Sequence, residues 1–290
     1  MSCTTINPIH YNFIMKKIRA YFEENGLTEC NLNTVPSILN ACEDSSNMQT
    51  YWWNGVKYAQ NQTTQVFLEY LQLLEGHKSK GYYNVGVSHR IEVNPVPNRH
   101  APNGKFILID VESDWDQRGL INFQKGLLRA IGIHPWHGAD YPEITYKEAC
   151  LKYGVDEISH EEEKKLCHDF NSPAVFLTNF TLSSNPFWNM KREGDIALKV
   201  DVIIGKSSPM EIIGSAERSC SVSEMREMFY SIDDGKYCQK LFDEFGRERV
   251  EKELDQYLSL DFKQRAGMGI GLDRLIFACK DLGIFDHLDN

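Results

Sequence analysis

Apolar residues recur along this chain with two periods. From about His10 to Glu24, Phe13, Ile14, Ile18, Tyr21 and Phe22 fall near helical spacing, and Asn25-Gly26 ends the run. Leu27 to Pro36 reads as a strand closing at a proline. Tyr51-Trp52-Trp53 and Val56-Lys57-Tyr58 flank Asn54-Gly55, a strong hairpin turn pair. The polar stretch from Gln60 leads into a helix through Tyr70. Strands follow at Tyr82–Glu92 and Phe106–Glu112, separated by a Pro-, Asn- and Gly-rich loop from Asn94 to Gly104. Gln117–Ile131 is an amphipathic helix, and the charged run Ser159–Cys167 reads as a solvated helix face. Ala174–Thr178, Ile196–Ile204 and Met210–Gly214 read as strands, and Ser223–Leu258 is rich in helix.

Composition narrows this picture only a little. The 290 residues are 42% hydrophobic and 25% charged, which is ordinary for a globular chain with one large core or two small ones. The net charge of -10 gives no support for a basic face that grips nucleic acid. The eight cysteines are scattered without a CxxC pair, so they read as small core residues of a reduced, cytoplasmic chain rather than a zinc site. No signal peptide and no membrane-spanning apolar run stands out.

Candidate chemistry concentrates in three places. Gly267, Gly269 and Gly271 alternate, so one face of an extended segment carries no side chains and a flat ligand or another backbone can lie on it. Asp273 then fits a helix N-cap, with Leu275, Ile276 and Phe277 as the first buried residues. Arg274 in the first turn can point back over the glycines and stack on a base or pair with phosphate. The spacing is not the Rossmann fingerprint, and the Walker A lysine is missing. Second, alternation puts Phe106, Leu108, Asp110 and Glu112 on one face, either an edge strand in water or a polar pocket floored by an aromatic ring. Third, Asp201 and Glu211 lie on neighbouring strands joined by a short loop and would meet across a ladder. Two such carboxylates repel unless a cation lies between them, and Mg²⁺ with a nucleotide phosphate is the simplest.

The string GxGxGxDRL from Gly267 to Leu275 resembles motif 3 of the class II aminoacyl-tRNA synthetases. Helix, glycine turn and strand up to Pro36 resemble their motif 1. Arg90-x-Glu92, a loop with Arg99-His100, and Phe106-x-x-x-Asp110-x-Glu112 resemble motif 2, with Lys105 standing where glutamate is usual. Gln62 to Glu69 is similar to the QSxQLYLE stretch of asparaginyl enzymes, and Leu68 replaces the lysine of aspartyl ones. Ile144–Ala149 matches their ITYxEA helix start, Pro186–Met190 resembles their PFYxM element, and Glu211–Arg218 resembles EIxGGSxR with Ser215 for the second glycine. These motifs occur in family order across nearly the whole chain.

The resemblance implies an α+β fold, a class II aminoacyl-tRNA synthetase-like antiparallel sheet flanked by helices, formed by a single catalytic domain over residues 1–290, usually as a homodimer. It implies ATP and Mg²⁺ as cofactors. The chain begins almost at motif 1, without the anticodon-reading domain of aspartyl and asparaginyl enzymes, so tRNA is not expected as a partner. A bare core of this group implies an AMP-forming asparagine synthetase that adenylates aspartate and amidates it with ammonia. The alternatives are an adenylating enzyme with another acceptor (tRNA, a protein amine or a natural-product intermediate) or a non-catalytic paralogue. By resemblance, Arg90 and Arg274 are catalytic. Arg90, Glu92, Arg99, His100, Phe106, Glu211, Gly271 and Arg274 would bind ATP. Gln62, Gln65, Asp110, Glu112 and Arg218 would bind the amino acid, with Asp110 on its ammonium and Arg218 on a carboxylate. Asp201 and Glu211 would hold the metal.

Overall fold

One large sheet carries most of the alternating stretches. In the computed structural model, residues 6–31, 37–40, 47–75, 78–91, 104–138, 140–182, 184 and 187–289 are described. Their helices are α1 (Pro8–Glu24), α2 (Gln65–Glu75), α3 (Gln117–Ile131), α4 (Tyr146–Tyr153), α5 (His160–Asp169), α6 (Val222–Ser231), α7 (Lys236–Phe245), α8 (Arg247–Leu258) and α9 (Leu272–Asp281). The strands are β1 (Leu27–Glu29), β2 (Thr50–Trp53), β3 (Val56–Ala59), β4 (Gly81–His89), β5 (Lys105–Ser113), β6 (Glu143–Thr145), β7 (Ala174–Thr181), β8 (Arg192–Glu193), β9 (Ile196–Ile204), β10 (Met210–Glu217) and β11 (Ala266–Gly271).

The sheet runs β1-β4-β5-β11-β10-β9-β7-β6, with β8 beside β9. Every pair from β4 to β7 along this path is antiparallel, and only the edge strands β1 and β6 add in parallel. This is the expected α+β architecture. Its alternation sorts the two faces. Ile109, Val111, Met268, Ile270, Val200 and Val202 are buried in one cluster with Ile14, Ile18 and Phe22 of α1, Leu120 and Leu127 of α3, and Leu275 of α9. The opposite face carries the polar groups of the candidate site. Helices α6 to α8 build a second core around Trp188 and Tyr257, and α4 with α5 cover the β7 end.

Local chemistry explains the boundaries. Asp116 caps α3 by accepting from the Gly119 N–H, and Gly132 (φ 100°) closes it in the left-handed region. Thr145 with Glu148, and Ser159 with Glu162, form capping boxes at α4 and α5. Asn54 (φ 50°) and Gly55 (φ 78°) make the tight turn between β2 and β3, as expected. The Lys57–Glu244 ion pair ties this hairpin to α7, while Trp52 and Trp53 stay exposed.

Four expectations change. The first strand spans only Leu27–Glu29, and its expected close at Pro36 lies outside the described residues. The fourth strand ends at His89, short of Glu92. Asp273 does not cap its helix. Gly271 holds that position, and Asp273 instead accepts from the Ile107 N–H at 2.8 Å, tying α9 to the start of β5. Phe277 is 47% exposed, and Leu272 joins Leu275 and Ile276 in the core instead.

Gly126 on α3 meets Tyr21 on α1. Tyr21 donates to the Phe123 carbonyl at 3.0 Å, and a Cβ on residue 126 would lie 2.0 Å from the Tyr21 hydroxyl oxygen. Gly126→Ala therefore forces these helices apart. It should cost about 1–3 kcal/mol, read as a lower urea midpoint with unchanged slope.

Candidate active site

Two rows of cross-strand partners define the polar face. One runs Asn84, Asp110, Gly269, Gly214, Asp201. The next runs Tyr82, Glu112, Gly267, Ala216, Lys199. The middle strands offer only glycine and alanine, so a groove floor lies between two acidic flanks. The glycines also make room for the protein's own groups. A Cβ at Gly267 would lie 1.8 Å from Glu112 Oε2 and 2.8 Å from Arg218 Nη2. At Gly269 it would lie 3.4 Å from Asp110 Oδ1.

On one flank Arg218 Nη2 donates to Gln65 Oε1 at 2.6 Å and to Glu112 Oε2 at 3.4 Å. Glu112 Oε1, Arg218 Nε and Gln62 Nε2 are buried without a partner. An orphaned acceptor beside orphaned donors costs about 1–3 kcal/mol per group, which a ligand carrying the complementary donor and acceptor recovers. Burial pushes the Glu112 carboxyl up to about 8, with Arg218 opposing and Glu69 adding to the rise. Asp110 is different. It accepts from Thr63 Oγ1 (2.8 Å), the Thr64 N–H (2.7 Å) and Thr64 Oγ1 (2.8 Å), so it pins the entry to α2. Burial raises its pKa, while those three bonds and the charge of Arg90 pull the other way.

Behind this flank lies a polar network that sequence reasoning missed. The Glu69–Arg265 pair is fully buried at 2.8 Å, and Tyr257 Oη (2.6 Å) and Asn189 Nδ2 (2.7 Å) also donate to Glu69. Arg265 reaches the Ser219 carbonyl at 3.1 Å, and its own carbonyl accepts from the Arg218 N–H at 2.9 Å. Met190 bridges Arg218 from the other side. The available signals were an acid inside the apolar pattern of α2 and an arginine two positions before the glycine string. Ser215 points away from the groove: it donates to the Val200 carbonyl and accepts from Gln124 of α3. Leu68 is fully buried.

At the far end of the floor Arg90 and Phe106 stand together, with the guanidinium 5.4 Å from the ring centroid. The Arg90 N–H bonds the Gly104 carbonyl at 2.7 Å, closing the loop between β4 and β5 at its base. Arg274 folds back over Gly271, as expected: its side chain lies 3.8 Å from where a Cβ on Gly271 would stand, and Nη1 donates to the Glu211 carbonyl at 3.1 Å. Glu92, Arg99 and His100 lie outside the described residues.

Asp201 and Glu211 do converge. An irregularity in β10 between Glu211 and Ile213 leaves Ile212 and Ile213 both in the helix-side core. This bulge turns Glu211 to the groove face. Carboxylate oxygens of Glu211 and Asp201 lie 3.1 and 3.7 Å from the point where a Cβ on Gly214 would stand. Asp201 Oδ1 is buried without a partner, which suits a cation. Burial pushes the Asp201 carboxyl up to about 8, with Lys199 opposing and Glu211 adding. Among the described residues no group of three or more His, Cys, Asp or Glu surrounds a metal position, so a metal here would complete its shell with phosphate or water.

The family model of tRNA synthetases class II (D, K and N) matches the chain over residues 9–282. The chain belongs to that family. Asparaginyl-tRNA synthetase from Pyrococcus horikoshii, complexed with asparaginyl-adenylate, superposes with a TM-score of 0.72 at 17% identity, over 93% of this chain and 64% of that one. Asparaginyl-tRNA synthetase from Entamoeba histolytica, also with asparaginyl-adenylate, gives 0.68 at 16%, over 93% and 62%. Aspartyl-tRNA synthetase from the same organism gives 0.67 at 15%, over 95% and 55%. The likeness is one of fold, and this class II chain spans less than two thirds of each of those proteins. No curated protein sequence matches it. No helix among the described residues is long and apolar enough to cross a membrane.

Two outcomes follow for this flank. Arg265→Met strands Glu69 in the core and should cost about 3–5 kcal/mol in denaturant unfolding. Between 4.5, where an unfolded glutamate releases its proton, and about 8, the folded state binds more protons at Glu112 than the unfolded state does. Stability of the ligand-free protein therefore falls as pH rises through that window, and Glu112→Gln should flatten the fall in melting temperature.

Proposed function

We propose that this chain activates the side-chain carboxylate of aspartate with ATP and transfers it to ammonia, forming asparagine and AMP. The observation that carries this reading is the buried pair Glu112 and Arg218, which meet above Gly267 while Glu112 Oε1 and Arg218 Nε stay unpartnered. An α-amino-acid head group supplies the complement, with its ammonium on Glu112 and its carboxylate on Arg218. Asp110, expected to hold the ammonium, already accepts three hydrogen bonds, so Glu112 takes that role and Asp110 sets the position of α2. The head group then faces away from the nucleotide, and the β-carboxylate extends along the floor toward Arg90.

A carboxylate is a poor acyl donor because oxide leaves badly. Attack of its oxygen on the α-phosphorus expels pyrophosphate and makes AMP the leaving group. Ammonia then attacks the carbonyl carbon, the carbon–oxygen bond to AMP breaks, and the nitrogen loses a proton. Arg90 stabilises the charge developing at the α-phosphate. Phe106 and Arg274 hold the adenine over Gly271. By the resemblance, Glu92 would also bind ATP, and Arg99 with His100 would hold its outer phosphates. Mg²⁺ held by Asp201 and Glu211 would neutralise phosphate charge. Gln62 and Gln65 orient the head group beside Arg218. A homodimer acting in the cytoplasm without tRNA completes the proposal.

The same pair favours a second reading. A carboxamide also offers a donor to Glu112 and an acceptor to Arg218, so asparagine would fit with its α-carboxylate toward ATP, destined for another acceptor such as tRNA. Product analysis separates the two. Ammonium-dependent AMP release with aspartate, together with asparagine as product, is expected. Pyrophosphate exchange with asparagine and none with aspartate would refute the primary reading in favour of the second. Arg218→Lys loses the fixed guanidinium fork, and the KM for the amino acid should rise about 10- to 100-fold with a smaller effect on ATP.

A further inference from the structure

The acidic pair already has cations beside it. Lys199 lies two residues before Asp201 on β9, on the same face of the sheet. Its ammonium sits 3.0 Å from Asp201 Oδ2, with both side chains largely buried. The same nitrogen lies 4.4 Å from the centroid of the Phe180 ring, so the aromatic face and the carboxylate together fix it. Across the pair, Arg274 Nη1 stands 3.7 Å from Glu211 Oε2. Each carboxylate therefore has a positive neighbour supplied by the chain. The pair offers no net negative charge to attract a free divalent ion, and two carboxylates fill only part of a shell of six oxygens.

We propose that Lys199 is the resident counter-ion of Asp201, and that it keeps divalent metal off the Asp201–Glu211 pair until nucleotide phosphates bring the ion in. This goes beyond the metal role given to Asp201 and Glu211 above and rests on it. Polyphosphate oxygens supply the missing ligands and the excess negative charge. The Lys199 ammonium then moves from Asp201 toward phosphate, leaving Asp201 to the metal. Lys199 acts through the carboxylates as a positioning residue. It orders the assembly, so that metal enters as a nucleotide complex.

Mn²⁺ binding followed by electron paramagnetic resonance tests this directly. Without nucleotide, Lys199→Met should bind Mn²⁺ at least about tenfold more tightly than the wild type, and Lys199→Arg should behave as the wild type. With a non-hydrolysable ATP analogue present, wild type and Lys199→Met should agree within about threefold. Should Lys199→Met fail to fold, Lys199→Gln is read the same way. Equal Mn²⁺ affinity for wild type and the neutral variants without nucleotide overturns the proposal, as does an equal gain in Lys199→Arg. Asp201→Asn separates the two levels. If it leaves nucleotide-dependent Mn²⁺ binding unchanged, the metal role of the pair fails, and the counter-ion role fails with it.

Discussion

The site depends on the absence of one side chain. Glu112 Oε2 and Arg218 Nη2 occupy the volume that a Cβ on Gly267 would need. Because residue 267 is bare, a carboxylate from β5 and a guanidinium from the end of β10 reach over β11 and meet above it. The buried Glu69–Arg265 pair then holds Arg218 from behind through backbone and charge. A pair of buried charges is costly on its own. Here it positions a second pair whose remaining valences are left open, which is what a binding pocket needs and a stable core does not.

The same face solves a second problem at the other end. A nucleotide bound here would bring negative charge to a groove that already carries Asp110, Glu112, Asp201 and Glu211. The structure gives these acids different neighbours. Asp110 is consumed by Thr63 and Thr64, Glu112 faces Arg218, and Asp201 and Glu211 lie beside Lys199 and Arg274. The bulge in β10 is the geometric device behind the last arrangement, since regular alternation from Gly214 would have sent Glu211 into the helix layer.

Much of the fold was legible because its signals are local. The helices Gln117–Ile131 and the strand Ile196–Ile204 follow from periodicity alone, and the hairpin at Asn54-Gly55 follows from turn chemistry. The Gly267–Gly271 row and the shared face of Asp110 and Glu112 follow from alternation, whereas Asp201 and Glu211 come together through strand adjacency and a bulge in β10 that the pattern does not signal. What was not legible depends on partners distant in sequence. Asp273 looked like a cap, but the Ile107 N–H of a neighbouring strand was a better match for its carboxylate. Asp110 reads from the sequence as an open carboxylate, but Thr63 and Thr64 supply three donors to it. Glu69 and Arg265 each broke a local pattern, but their pairing joins α2 to the start of β11 and could not be read from either position alone.

The central claim is that Arg90, above Phe106 and at the end of the glycine floor, serves adenylation of an amino acid. Incorporation of labelled pyrophosphate into ATP, measured for the wild type and for Arg90→Ala with the amino acid present, tests it most directly. The arrangement predicts amino-acid-dependent exchange in the wild type and a loss of about 100- to 1000-fold in Arg90→Ala, the scale of removing one charge-stabilising donor from a transition state. Full exchange in Arg90→Ala would contradict it.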